Sequence, residues 1–184
     1  MSVTEWVLYR YNSDDNGLEE AKNFVFIWGL FESQLKNVIG NLNTLDFKSW
    51  GTSLEITQET IGIVITEPRT ENCINGKLVD DINKAFNHFY QLYINDAHKF
   101  INHLYNQADN NTQKAKARFL DFAMTFNKRD IRDKIVFLFH IAKRMRNKFF
   151  HGIKNIGEIL NEQKEFSKIN VYLIAILSLI EQYN

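Results

Sequence analysis

Apolar residues recur at steps of three and four along most of the chain, the spacing that lines one face of an α-helix. Over 18–42 the stripe is Phe24, Ile27, Trp28, Phe31, Leu35, Val38, Ile39 and Leu42. Over 80–108 it is Ile82, Phe86, Phe89, Tyr93, Ala97, Phe100, Ile101 and Leu104. Over 129–150 it steps through Ile131, Ile135, Leu138, Ala142, Met145 and Phe149, and over 162–183 through Ile169, Tyr172, Leu173, Ile176, Leu179 and Ile180. A shorter fifth stripe over 112–126 carries Ala115, Phe119, Phe122, Ala123 and Phe126. Each stripe is wide enough to face a core rather than a coiled-coil seam. Burying five such faces calls for an all-α, antiparallel helical bundle of four to five main helices.

The punctuation between the stripes fits that reading. Asp109-Asn110-Asn111 breaks the pattern with Thr112 as the cap of the next helix, and Asn127 can cap the one after it. Gly152 stands where a left-handed helix terminator is expected. The stretch 44–79 lacks helical period. Its run Ile61, Ile63, Val64, Ile65, followed by Pro68, suits an extended segment or small hairpin, whereas Thr52 and Glu55 have the spacing of a capping box. Asn75-Gly76 reads as a turn, and the whole of 44–79 as an irregular insertion in a single domain spanning 1–184.

Composition narrows the class. Of 184 residues, 45 % are apolar and 24 % charged, which describes a folded globular chain rather than a disordered one. Lys+Arg and Asp+Glu number 22 each, so the chain is not a globally basic nucleic-acid binder. The single Cys73 forms no internal disulfide and builds no cysteine zinc site. The longest apolar stretch, 171–180, is broken by Ser178 and falls short of the ~20 residues a bilayer requires. The opening MSVTEWVLYRYNSDD has no basic region followed by an apolar run, so a reducing cytoplasmic setting without membrane partners is expected.

Neutral overall, the chain is polarised. Residues 128–154 hold nine basic and two acidic side chains, a net +7, whereas residues 1–32 hold six acidic and two basic, a net −4. The basic segment draws phosphate-bearing ligands. It also serves as the solvated face of a helix whose C-terminal end favours cations, and charge alone gives that plainer reading precedence.

Within that segment lies Arg146-Asn147-Lys148-Phe149-Phe150-His151-Gly152, an arginine followed by a polar residue, three more residues and a histidine. This resembles the R-x4–6-H motif of HEPN domains, a family of small all-α proteins. Arg144 satisfies the longer spacing of the motif, but the Asn after Arg146 favours Arg146. Phe24, Trp28, Phe31 and Glu32 are similar to the opening helix of such domains. The resemblance covers the chain apart from 44–79 and the N-terminal arm. It implies a HEPN-like bundle and a metal-independent endoribonuclease acting as a homodimer, whose two motifs meet in one cleft. It further implies a toxin or phage-defence effector, with RNA as substrate and an antitoxin or other defence-system protein as partner. Position 153 is Ile where some toxins of the family carry a tyrosine that the antitoxin modifies, so that route of neutralisation is not expected.

The residue types match the chemistry. The resemblance implies that the imidazole of His151 takes the 2′-hydroxyl proton and that the guanidinium fork of Arg146 stabilises the phosphorane, with Asn147 in support. Arg144, Lys148 and Lys143 are expected to contact substrate. Residues five apart on a helix are rotated by about 140°, so Arg146 and His151 share a face only if the helix ends between them. Taken without the resemblance, His151 is a helix cap, Arg146 a surface charge, and Asn147 a residue near a helix end.

Glu32 has two readings: an i, i+4 surface pair with Lys36, which is preferred, or a partner for a motif arginine across the bundle. His140, one turn before Arg144, reads as a satisfied core-edge residue. His88, His98 and His103 lack ligand spacing, so no metal and no cofactor are implied. Phe149 and Phe150 read as core before RNA-stacking residues. Two further accounts stand beside the nuclease: a non-catalytic HEPN-like module binding nucleotide, RNA or a protein partner through the basic helix end, and a helical interaction protein whose Arg/His spacing is accidental.

Overall fold

A computed structural model describes residues 15–39, 74–151 and 156–183, together with Glu5, Tyr9 and Arg10. Seven helices and no strand occur among these residues: α1 Asp15–Ile39, α2 Ile74–Asn95, α3 Ala97–Leu104, α4 Asn110–Thr125, α5 Ile131–Phe150, α6 Ile156–Asn161 and α7 Gln163–Tyr183. The described residues form an all-α bundle with five long helices and two short ones. No helix among the described residues is long and apolar enough to cross a membrane.

The buried positions follow the stripes. Phe24, Trp28 and Phe31 of α1, Ile82, Phe86 and Phe89 of α2, Phe119 and Phe122 of α4, and Ile169, Tyr172, Leu173 and Ile176 of α7 are all in the core. α7 packs chiefly against α1 and α2, and α5 lies against α2. α1 and α7 run antiparallel: Asn170 Nδ2 donates to the Glu20 carbonyl and to Glu20 Oε2, both at 2.9 Å, and Phe24 meets Phe166 at 5.3 Å one turn along. The Tyr172 hydroxyl, wholly buried, donates to the Ile135 carbonyl at 3.0 Å and joins α7 to α5. Phe137 sits at the centre of an aromatic cluster, with Phe86 at 5.3 Å, Phe126 at 5.6 Å and Phe119 at 5.8 Å, tying α2 and α4 to α5. Centroid separations of this order are those of favourable aromatic pairs.

Four boundaries differ from the sequence expectation, each for a local reason. The helix expected over 80–108 is two. Asp96 ends α2 and caps α3, its Oδ1 accepting from the Lys99 amide at 2.8 Å, and Ala97, expected in the core, is exposed. α4 is capped by Asp109, not by Thr112. The Asp109 carboxylate accepts from the Thr112 amide at 2.9 Å, while the buried Thr112 hydroxyl donates to Gln107 Oε1. Asn127 shapes the turn before α5, accepting from the Arg129 and Asp130 amides, and the first helical bond of α5 goes to the Asp130 carbonyl. Asn75-Gly76 lies inside the first turn of α2 rather than in a turn. The rest of the insertion (residues 44–73, with Thr52, Glu55, the run 61–65 and Pro68), Gly152 and Ile153 lie outside the described residues.

Candidate functional site at the end of α5

The last two turns of α5 carry seven of the motif's surroundings in sequence, and the structure sorts them onto two sides. On one side Arg144 and Lys148, expected to contact substrate, are buried, at 5 % and 4 % exposure. Arg144 Nε donates to the Leu104 carbonyl and Nη2 to Gln107 Oε1, both at 2.6 Å, and its guanidinium stacks over the Tyr105 ring at 5.6 Å. Lys148 Nζ donates to the His103 carbonyl at 2.6 Å. These carbonyls belong to the last turn of α3, where no intrahelical donor remains for them. The two cations therefore terminate α3, and burial holds both below their ordinary pKa values.

On the other side Arg146 is half-buried and faces α1. Its Nη2 lies 3.8 Å from Glu32 Oε2, its Nη1 donates to Asn147 Oδ1 at 3.3 Å, and its guanidinium lies 5.0 Å over the Phe150 ring. The cross-bundle pair, one of the two readings of Glu32, is formed; the other falls on the Lys36 side chain, which lies outside the described residues. Arg146 Nε is buried without a hydrogen-bond partner. A desolvated donor left unmade costs about 1–3 kcal/mol; the part of the guanidinium that an outside acceptor can reach is its exposed edge, not Nε. Phe149 packs edge-on against Phe166 as core, whereas Phe150 is half exposed and supports Arg146.

His151 sits at the helix end and is exposed. Its amide donates to the Asn147 carbonyl at 3.0 Å, so the helical ladder runs unbroken past Phe150. The helix does not end between Arg146 and His151, and within one chain the two side chains leave it about 140° apart. The structure thus brings together Arg146, Asn147 and Glu32, and sets His151 one turn beyond Asn147, on a different side of the helix from Arg146.

Lys143 is half-buried, and burial lowers its pKa, with Arg118 and Arg146 pushing further down and Glu32 pulling up. Arg118, on the exposed side of α4, is a member of this group that motif reading missed, since it lies outside the motif and only helix packing brings it near. His140 is buried between the Phe119 and Phe122 rings, at 5.6 and 5.4 Å, and burial aided by Lys143 and Arg118 depresses its pKa to about 3, so it stays neutral. Two of the other histidines pair with α7 or its approach, His103 Nε2 lying 3.1 Å from Glu162 and His88 Nε2 3.6 Å from Glu165, while the His98 ring meets the Asn102 amide within α3. No family model, no curated protein and no solved structure matches this chain.

Proposed function

We propose that the protein is a metal-independent endoribonuclease of the HEPN type, an effector of a toxin–antitoxin or phage-defence system, that cleaves RNA at a site built from two copies of the chain. The observation that carries the reading is the split at the end of α5. A half-exposed guanidinium stands on one side, and an exposed imidazole stands at the helix terminus on another. Each is half of an acid–base and phosphate-stabilising pair, and a second copy related by a two-fold axis supplies the missing half.

In this reading His151 of one copy takes the proton from the 2′-hydroxyl, whose oxygen attacks the adjacent phosphorus. Arg146 of the other copy stabilises the charge of the five-coordinate phosphorane as the bond to the 5′-oxygen breaks. The His151 imidazolium gives its proton back to the leaving 5′-oxygen, so the products are a 2′,3′-cyclic phosphate and a 5′-hydroxyl and the histidine is neutral again. Asn147 and Glu32 hold the guanidinium from either side, and the Phe150 ring supports it from below.

The test is RNA cleavage in the presence of chelator. Activity is expected from the wild type and not from Arg146→Ala or His151→Ala. Mixing the two inactive variants is expected to restore measurable activity, because mixed dimers assemble one site with an intact arginine and an intact histidine. Failure of the wild type to cleave overturns the reading in favour of an RNA- or nucleotide-binding module. Failure of the mixture to recover, with both variants dimeric, overturns the shared site.

A further inference from the structure

A recess opens between α4 and α5. Arg118, Lys143, Arg144, Asn147, His140 and Tyr105 line it. Its volume is about 50 Å³. At roughly 30 Å³ per water that is room for about two waters, nearer the bulk of a tetrahedral oxyanion than of a nucleobase. Three of the lining side chains are cationic and none is a carboxylate. The nearest carboxylates act from outside: Glu32 on Lys143, and Asp109 on Arg144.

The back of the recess is neutral. His140 is held uncharged by burial and by Lys143 and Arg118, and the buried Tyr105 hydroxyl is held well above its ordinary pKa. Arg118, Lys143, Arg144 and Arg146 gather near one helix end; burial is the main reason the pKa of Lys143 is lowered, and repulsion from Arg118 and Arg146 adds to it. An anion seated among them relieves that repulsion. Asn147 joins the two places: it lines the recess, and its Oδ1 holds Arg146.

We propose that this recess is a phosphate subsite that seats a second phosphodiester of the RNA strand, next to the one at Arg146; the assignment of RNA rests on the ribonuclease reading above. Arg118 is its specific ligand, because Arg144 is committed to the end of α3 and Lys143 is shared with Glu32. A strand anchored at both places is fixed in register, so the bond presented to His151 is set by the neighbouring phosphate rather than by base identity.

The experiment measures binding of a fluorescent 2′-O-methyl oligoribonucleotide, which has no 2′-hydroxyl proton to lose, across a range of salt concentrations. Wild type, Arg118→Gln, Arg118→Lys and Lys114→Gln are compared, Lys114 being an exposed α4 cation that does not line the recess. Losing one phosphate contact lowers the slope of log affinity against log salt by about 0.7 for a single strand. That decrease, with roughly 3–10-fold weaker binding at low salt, is expected for Arg118→Gln. Arg118→Lys and Lys114→Gln are expected to keep the wild-type slope.

An unchanged slope in Arg118→Gln, or an equal loss in Lys114→Gln, overturns the subsite. The two readings fail separately. Chelator-resistant cleavage lost in Arg146→Ala but accompanied by an unchanged Arg118→Gln slope removes the subsite and keeps the nuclease. A slope lost in Arg118→Gln with no cleavage by the wild type keeps the subsite and removes the nuclease.

Discussion

Arg144 and Arg146 stand two residues apart in one basic run, yet they meet opposite fates. Arg144, with Lys148 one turn on, is turned inward and spends its donors on the open carbonyls of α3. Arg146 leaves the helix on another side, is half-exposed, and keeps a buried Nε with nothing to donate to. Charge counted along the sequence treats the two alike. Their surroundings do not: one cation completes a hydrogen-bonded structure that the fold needs, and the other is held ready by a carboxylate, an amide and a ring. The difference teaches that a basic run is a mixture of structural and available charges, and that the helix opposite decides which is which.

The contrast can be broken most sharply at the available side. His151→Ala and Arg146→Ala are each expected to lower RNA cleavage by about 10²–10⁴-fold, while their urea midpoints stay near that of the wild type. A loss of stability matching the loss of activity would erase the distinction. On the structural side, Arg144→Met strands the Leu104 carbonyl and Gln107. It is expected to cost about 2–4 kcal/mol in urea denaturation, with Lys148→Met costing somewhat less. Arg144→Met that unfolds like the wild type but no longer binds RNA would reverse the assignment.

His140, between the two sides, supplies a pH test. Its folded pKa lies near 3, below the unfolded value of 6.5. The unfolded chain therefore takes up a proton as pH falls through 6.5 and the folded chain refuses it. Stability present above pH 6.5 is lost on the way down to about pH 3, by up to about 1.4 kcal/mol per pH unit. His88, also lowered chiefly by burial, acts in the same direction. His140→Gln is expected to flatten the pH dependence of the urea midpoint, and an unaltered slope would show that His140 does not govern it. The smallest effect belongs to Glu32→Gln. A half-exposed ion pair is worth about 0–1 kcal/mol, so stability should barely move, while removing one negative charge beside Arg146 should tighten RNA binding about two- to threefold at low salt.

Much of the bundle was legible because apolar spacing reports burial directly. Phe24, Trp28 and Phe31, or Ile135, Leu138, Ala142 and Met145, lie in the core as their period requires. The α2–α3 break was not, because the apolar stripe continues through Tyr93 to Phe100 and Ile101 across Asp96, whose capping role depends on a single backbone bond. Asp109 and Thr112 are both good caps, and the choice between them was settled by Thr112 being drawn inward to Gln107. At the candidate site, the sequence located the helix end and the pairing chemistry of Glu32 as one of two readings. The inward turn of Arg144 and Lys148 and the approach of Arg118 could not be read, since both depend on elements distant in the chain.

The grip of Arg144 and Lys148 on α3 works as a ruler as well as a clasp. The two cations sit four residues apart and seize carbonyls of adjacent residues, so screwing α5 by one residue, a rise of about 1.5 Å with a turn of about 100°, would bring Met145 and Phe149 to face those oxygens instead. The elevation of the helix tip is thereby fixed from inside the molecule, before any neighbour arrives to read it.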